Sequence, residues 1–235
     1  MLTQNGTRRR FVAMAAAVPA ALTAVRSGRL AAATDYGATP SVPADQGLQR
    51  LMAGNQRFVA GQLTSLGQLA QDRRQLVPGQ SPFAVIVSCS DSRVPPELIF
   101  DQSLGQLFVI RTAGQVLDEA ALSSIVYGVD ALKAPLLVVL GHTGCGAVEA
   151  AVAALQGQSI PGYAYRFAEA IGPAVASVQN QSGDLLDNAV RANIGQGVAQ
   201  LKAAQPELAE AVAGGRLTVA GAYYDLASGQ VSRLA

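Results

Sequence analysis

The chain has 235 residues, of which half are hydrophobic and 14% charged, with 17 Lys+Arg against 16 Asp+Glu. That length fits one ordinary domain, and so little charge excludes a disordered, solvating chain. A balance of +1 leaves no electrostatic footprint for nucleic acid, and two cysteines are too few for a disulfide scaffold. The single histidine, His142, excludes a multi-histidine metal site.

The first segment reads as an address. No acidic residue precedes Asp35, whereas Arg8, Arg9, Arg10, Arg26 and Arg29 do. Residues 11–25 are free of charge, and this run is shorter than the about 20 residues a bilayer span needs. A basic start, a short apolar run and Ala31-Ala32-Ala33 are the parts of a secretory signal, with cleavage expected after Ala33. Thr7-Arg8-Arg9-Arg10-Phe11-Val12 resembles the twin-arginine export motif. The competing reading is an uncleaved, Ala-rich amphipathic helix. The expectation is an export signal over 1–33, a mature domain over 34–235, a periplasmic location and no membrane anchor after cleavage. The remaining 202 residues hold 12 basic and 16 acidic groups, a balance of −4, so the apparent neutrality belongs to the signal. Twin-arginine export carries folded proteins, which fits a metal or cofactor loaded beforehand.

Residues 34–45 are polar and small, with Pro40 and Pro43, and read as a lead-in. Leu48, Leu51, Met52, Phe58 and Val59 stand near helical spacing within 47–61. Residues 83–88 are an apolar run of strand length, and a short helix starts at Pro95-Pro96. A second strand is expected at 107–110, a helix at 118–133, a third strand at 136–140 and a helix at 147–155. The C-terminal part reads as helices at 163–178, 184–204 and 206–213, then strands at 216–224 and 230–234. Apolar strands alternating with helices argue for an α/β single domain with a mostly parallel central sheet covered on both faces.

Two segments carry nearly all the reactive side chains. Cys89-Ser90-Asp91-Ser92-Arg93 follows the first strand, and Gly141-His142-Thr143-Gly144-Cys145-Gly146 follows the third. Ligands of an open parallel sheet bind at the carboxyl ends of its strands. If the two strands are neighbours, Cys89, His142 and Cys145 converge. Two thiolates and one imidazole are a sufficient zinc set, and three protein ligands leave one tetrahedral position open. Three other readings stand beside this one. Cys89 and Cys145 could form a disulfide in an oxidising compartment. The glycines at 141, 144 and 146 could cradle a phosphate, although their order is wrong for the dinucleotide fingerprint. His142 could be a core histidine. Asp91 and Arg93 read either as a loop ion pair or as a functional pair. In the second case Arg93 orients Asp91, which either hydrogen-bonds a zinc-bound hydroxide or turns onto the zinc as a fourth ligand in an inactive state.

Residues 46–156 resemble a β-class carbonic anhydrase. The resemblance rests on Cys89-x-Asp91-Ser92-Arg93 and His142-x-x-Cys145. It is supported by Pro95-Pro96-Glu97, by Phe108-Val109-Ile110-Arg111 with Ala113-Gly114, and by the run from Leu51 to Phe58. It implies a β-carbonic-anhydrase-like catalytic domain performing zinc-dependent reversible hydration of carbon dioxide to bicarbonate and a proton. One Zn2+ per chain would be held by Cys89, His142 and Cys145, with hydroxide on the zinc as nucleophile. Asp91 and Arg93 would be catalytic, and Gln80 and the Gly146 N–H would contact substrate. A homodimer or dimer-based oligomer is implied as well. Hydrolysis of carbonyl sulfide or carbon disulfide on the same zinc is the alternative reading. Bicarbonate-inhibited members rely on a tryptophan near the site, and this chain has none. That favours an open site with Asp91 off the metal. Gln115 departs from the asparagine common after Ala-Gly in the family, and 157–183 matches less clearly.

Overall fold

The computed structural model describes residues 42–203 and 205–234. The expected export signal lies outside the described residues. The central β-strands are β1 (Ala84–Cys89), β2 (Leu107–Thr112), β3 (Leu136–His142), β4 (Thr218–Tyr224) and β5 (Val231–Leu234). Their order in the sheet is β2-β1-β3-β4-β5, parallel except for the last pair. Every residue of β1 and β3 is buried, which is why both read as unbroken apolar runs rather than alternating ones.

The two faces of the sheet are separate cores. Val85, Val87, Leu137 and Val139 face one way and join Ile125, Val148, Ile171, Ile194 and Leu208. These come from α4 (Glu119–Val126), α5 (Gly146–Leu155), α6 (Tyr165–Val178), α7 (Leu185–Ala203) and α8 (Pro206–Ala213). Ala84, Ile86, Leu136, Val138 and Leu140 face the other way and meet Leu51 and Ile99. Those two belong to α1 (Ala44–Val59) and α3 (Pro96–Ile99). Alternate residues of one strand thus feed opposite cores, as the pleat requires.

Polar ties fix the second layer. Asn55 of α1 is buried; its amide donates to the carbonyls of Ile99 and Gly229 and accepts from the Val231 N–H. Gly54 has no room for a side chain, because a Cβ there would lie 1.8 Å from the Phe100 carbonyl oxygen. Asp101 sits at φ 45° and binds Arg57, Thr64 and Ser65, closing the connection after α3.

Four elements differ from expectation. The helix α2 (Leu69–Gln75) was not foreseen, since it buries no residue and so carries no apolar stripe. The helix expected over 118–133 is capped by Asp118, whose carboxylate accepts from the Ala121 N–H, but it widens into a π turn at Tyr127–Ala131. Gly128 lies in that turn, and a Cβ there would meet Val85 at 2.8 Å. β1 and β3 also run further than expected, so Cys89 and His142 are strand-end residues rather than loop residues.

Candidate metal centre and active site

The chain passes from β1 out to β2 and then returns to β3 on the other side of β1. The gap between the carboxyl ends of β1 and β3 is therefore the topological switch point, where open α/β sheets bind ligands. Cys89 ends β1 and His142 ends β3, and the two strands pair directly. Gly144, at φ 60°, reverses the chain so that Cys145 can stand at the N-cap position of α5. The ligand atoms of Cys89, His142 and Cys145 all lie within 4.8 Å of one another, and all three residues are buried.

The two sulfurs are 4.0 Å apart and both thiols are free, about twice the S–S bond length of about 2.05 Å. The disulfide reading does not describe this structure. His142 is fully buried, and its Nδ1 faces the Thr143 carbonyl at 2.9 Å. A carbonyl can only accept, so Nδ1 carries the proton and Nε2 is left as a bare acceptor. That Nε2 is buried with no protein partner. An ordinary core histidine would satisfy both ring nitrogens. Here the unpartnered nitrogen stands beside two sulfurs.

Charge on one of the two sulfurs is already encouraged. The Cys145 thiol, donating toward Cys89, pulls the Cys89 thiol down to about 4 against the opposing effect of burial, and the Gly114 N–H donates to its sulfur at 3.3 Å. Cys145 is pushed up by its bond to Cys89 and by burial, since a second negative charge in the same pocket is unfavourable. A bound cation would remove that conflict.

Asp91 lies outside the ligand cluster. Its Oδ1 accepts from Arg93 N and Nε, each at 2.9 Å, and its Oδ2 accepts from Arg93 Nη2 at 2.7 Å. Hydrogen bonding from Arg93 holds the Asp91 carboxyl well below the usual carboxylate range. Gly146 is exposed as the first residue of α5, where backbone N–H groups have no intrahelical partner. Gln80 is placed elsewhere. It lines a shallow cavity with Leu76, Gly79 and Gly105, beside the amino ends of β1 and β2. The six residues of β1 separate it from the ligands by roughly 17 Å. One chain does not bring Gln80 to its own centre.

Two residues near the centre were given no role from sequence. Arg111 Nε donates to the Cys89 carbonyl at 3.0 Å, and its Nη2 donates to the Asp91 carbonyl. Its signals were its place at the end of an apolar strand and its part in the Phe108-Val109-Ile110-Arg111 match, neither of which gave it a role. Asn193 of α7 donates to the Gly114 carbonyl at 3.0 Å, steadying the turn that hydrogen-bonds Cys89. Nothing in the helical pattern of 184–204 marked Asn193.

A parallel sheet with a buried Cys-His-Cys cluster at its switch point defines an α/β metalloprotein site. The chain belongs to the carbonic anhydrase family, whose profile matches residues 84–231. It is therefore a lyase of that family. It is 44% identical over 181 residues to carbonic anhydrase 2 of Mycobacterium tuberculosis, covering 77% of this chain and 87% of that one. Among solved structures it is similar to the β-carbonic anhydrase CcaA, at 29% identity and TM-score 0.63 over 79% of this chain and 94% of that one. It also shares the fold of tetrameric β-carbonic anhydrases from Sordaria macrospora, at 23% identity and TM-score 0.64 over 80% and 96%. Among the described residues no helix is long and apolar enough to cross a membrane.

Proposed function

We propose that this chain catalyses zinc-dependent, reversible hydration of carbon dioxide to bicarbonate and a proton, with one zinc per chain held by Cys89, His142 and Cys145. The observation that carries the reading is the buried, unpartnered Nε2 of His142 facing two free thiols. A tetrahedral zinc with Zn–S of about 2.3 Å sets two sulfurs about 3.8 Å apart. The observed 4.0 Å needs almost no adjustment. Three protein ligands are the number found in catalytic rather than structural zinc sites. Bound there, zinc would supply the Lewis acidity that lowers the pKa of water from 15.7 toward about 7.

The other steps belong to the chain's own residues. Arg93 keeps Asp91 ionised and aims it, and Asp91 accepts a hydrogen bond from the attacking water so that its lone pair points at carbon dioxide. The Gly146 N–H donates to the carbon dioxide oxygen on which negative charge develops. Gln80 can contact that substrate only if a second copy delivers it, which fits a homodimer or dimer-based oligomer. Proton exit has no second histidine to use, so buffer or water must carry it. The basic, acid-free first segment supports export to the periplasm by the twin-arginine route.

The test is carbon dioxide hydration by the zinc-loaded protein beside its His142→Ala variant. The wild type is expected to be active and the variant to lose zinc and activity together. Activity retained by His142→Ala would overturn the reading.

A further inference from the structure

We propose that Arg111 is a positioning residue of the metal centre, whose guanidinium clamps the carbonyls of Cys89 and Asp91 and so fixes one ligand sulfur relative to the Asp91 carboxylate. The metal and Asp91 roles rest on the function proposed above, whereas the clamp itself rests on geometry.

Arg111 is the penultimate residue of β2 and pairs in register with Ser88. Its side chain runs past the end of β1 and reaches the segment that follows. Nε takes the Cys89 carbonyl at 3.0 Å and Nη2 takes the Asp91 carbonyl. The Ser90 N–H also donates to the Thr112 carbonyl at 3.0 Å. Segment 89–91 is therefore fastened to β2 at three points, two of them from one side chain.

The fastening matters because β3 gives this segment no help. The pairing of β1 with β3 ends at Ser88 and Leu140, one residue short of Cys89. Beyond that point the Cys89 carbonyl has Arg111 as its side-chain partner. The Asp91 carbonyl also accepts from the Val94 N–H at 2.9 Å, which closes a turn but does not tie it to the sheet. Arg111 does both at once, because a planar fork presents two N–H groups in fixed directions. Lysine carries the same charge without that geometry.

Arg111 belongs to neither apolar core and is exposed. Its removal leaves every packed layer in place, so folding is expected to survive. What changes is the spread of positions open to the Cys89 sulfur and the Asp91 carboxylate. Misplacement of about 1 Å at a reacting centre costs about 100-fold in rate. Loss of groups that orient metal ligands costs about 10–100-fold in metal affinity.

The experiment compares wild type, Arg111→Met and Arg111→Lys as full chains. Zinc affinity is read by chelator competition, kcat and KM by carbon dioxide hydration, and the thermal midpoint on metal-free protein. Arg111→Met is expected to lose about 10–100-fold in zinc affinity, with kcat reduced, KM unchanged and the metal-free midpoint unchanged. Arg111→Lys is expected to recover only part of the loss. Wild-type zinc affinity in Arg111→Met would overturn the proposal. So would full rescue by lysine, which would make charge rather than geometry the cause, or a loss of affinity matched by a fall in the metal-free midpoint. Zinc affinity is read without turnover. An inactive wild type with a zinc-weakened Arg111→Met would sink the reaction and leave the clamp standing.

Discussion

Replacing Gly141 by alanine tests how tightly the metal-bearing end of β3 is gripped. An added Cβ would lie 2.6 Å from Cγ1 and 2.7 Å from Cδ1 of Ile194, and 3.1 Å from Nε2 of Gln115. Relaxed carbon contacts lie at about 3.5–4.0 Å, so a gap of roughly 1 Å has to open. Ile194 is fully buried in α7, and Gly141 is held in register with Tyr223 of β4. Neither side yields freely. Overpacking of this kind costs about 1–3 kcal/mol. Stiffening the unfolded chain by removing a glycine returns less than about 1 kcal/mol. A net loss of about 1–2 kcal/mol is expected, and the displacement passes directly to His142, so zinc affinity should fall with it. Ile194→Ala removes both offending carbons. The double variant should therefore be less destabilised than the two single losses together, with a coupling of about 1–3 kcal/mol. Urea unfolding of metal-free protein and chelator competition measure the two effects. Additive losses, or a Gly141→Ala protein as stable as wild type, would refute the steric reasoning.

Arg93→Ala strips Asp91 of two side-chain N–H donors and leaves only the backbone N–H of residue 93, so its carboxyl should rise toward about 3.9. Lower kcat/KM is expected, with a new loss of activity as pH falls through that value; an unaltered pH profile rejects the orienting role. Asp101 is pushed up by burial, yet the Ser65 N–H, Arg57 and Thr64 outweigh this and hold it well below the usual carboxylate range. A group lowered on folding contributes stability above its unfolded pKa of about 3.9 and loses it as pH falls further. Asp101→Asn is expected to cost about 2–3 kcal/mol at pH 7, less than a fully buried pair because the Arg57 side chain is 35% exposed, and to flatten the acid side of the stability curve. An acid-unfolding midpoint equal to wild type would contradict this. Both amide atoms of Gln115 are buried without a protein partner, so Gln115→Met should keep or raise stability by up to about 1 kcal/mol in urea titration. A marked loss would mean the amide is satisfied. Turnover should rise with buffer concentration, since His142 is the only histidine and is itself buried; a flat response across a wide range would show another proton path.

The legible parts of this chain are those in which burial writes a pattern. β1 and β3 are buried throughout, and the C-terminal helices present apolar faces to one core, so both were expected near their observed bounds. α2 was not legible because it buries nothing. The π turn after α4 was hidden for the opposite reason. Val126 and Val129 keep apolar residues near helical spacing through it, while the close approach of Gly128 to Val85 is visible only in three dimensions. The site divided in the same way. Cys89, His142 and Cys145 could be found because their residue types are scarce and their chemistry is shared. Arg111 and Asn193 act through their side-chain donors on backbone carbonyls, and a carbonyl leaves no mark in a sequence. The Gln80 expectation came from resemblance, and within one chain Gln80 stands beside the amino ends of β1 and β2, away from the ligands.

The sheet itself explains why so few residues suffice. Adjacent strands lie about 4.8 Å apart, close to the span of two ligands on one metal. Ending two neighbouring strands on Cys89 and His142 therefore sets most of the site before any ion arrives. Cys145 needs only the left-handed turn at Gly144 to join them. The energy for this placement comes from two apolar cores, not from the metal, in contrast to small domains that fold only around zinc. A site built in that way can be filled in a finished fold. It also has a limit. A rigid parallel sheet gathers what lies at its carboxyl ends and keeps apart what lies at its amino ends, as it does for Gln80. Any group from the amino end that takes part in the chemistry has to come from another molecule. On the function proposed above, the same geometry that makes the metal centre self-sufficient would make the substrate site dependent on assembly.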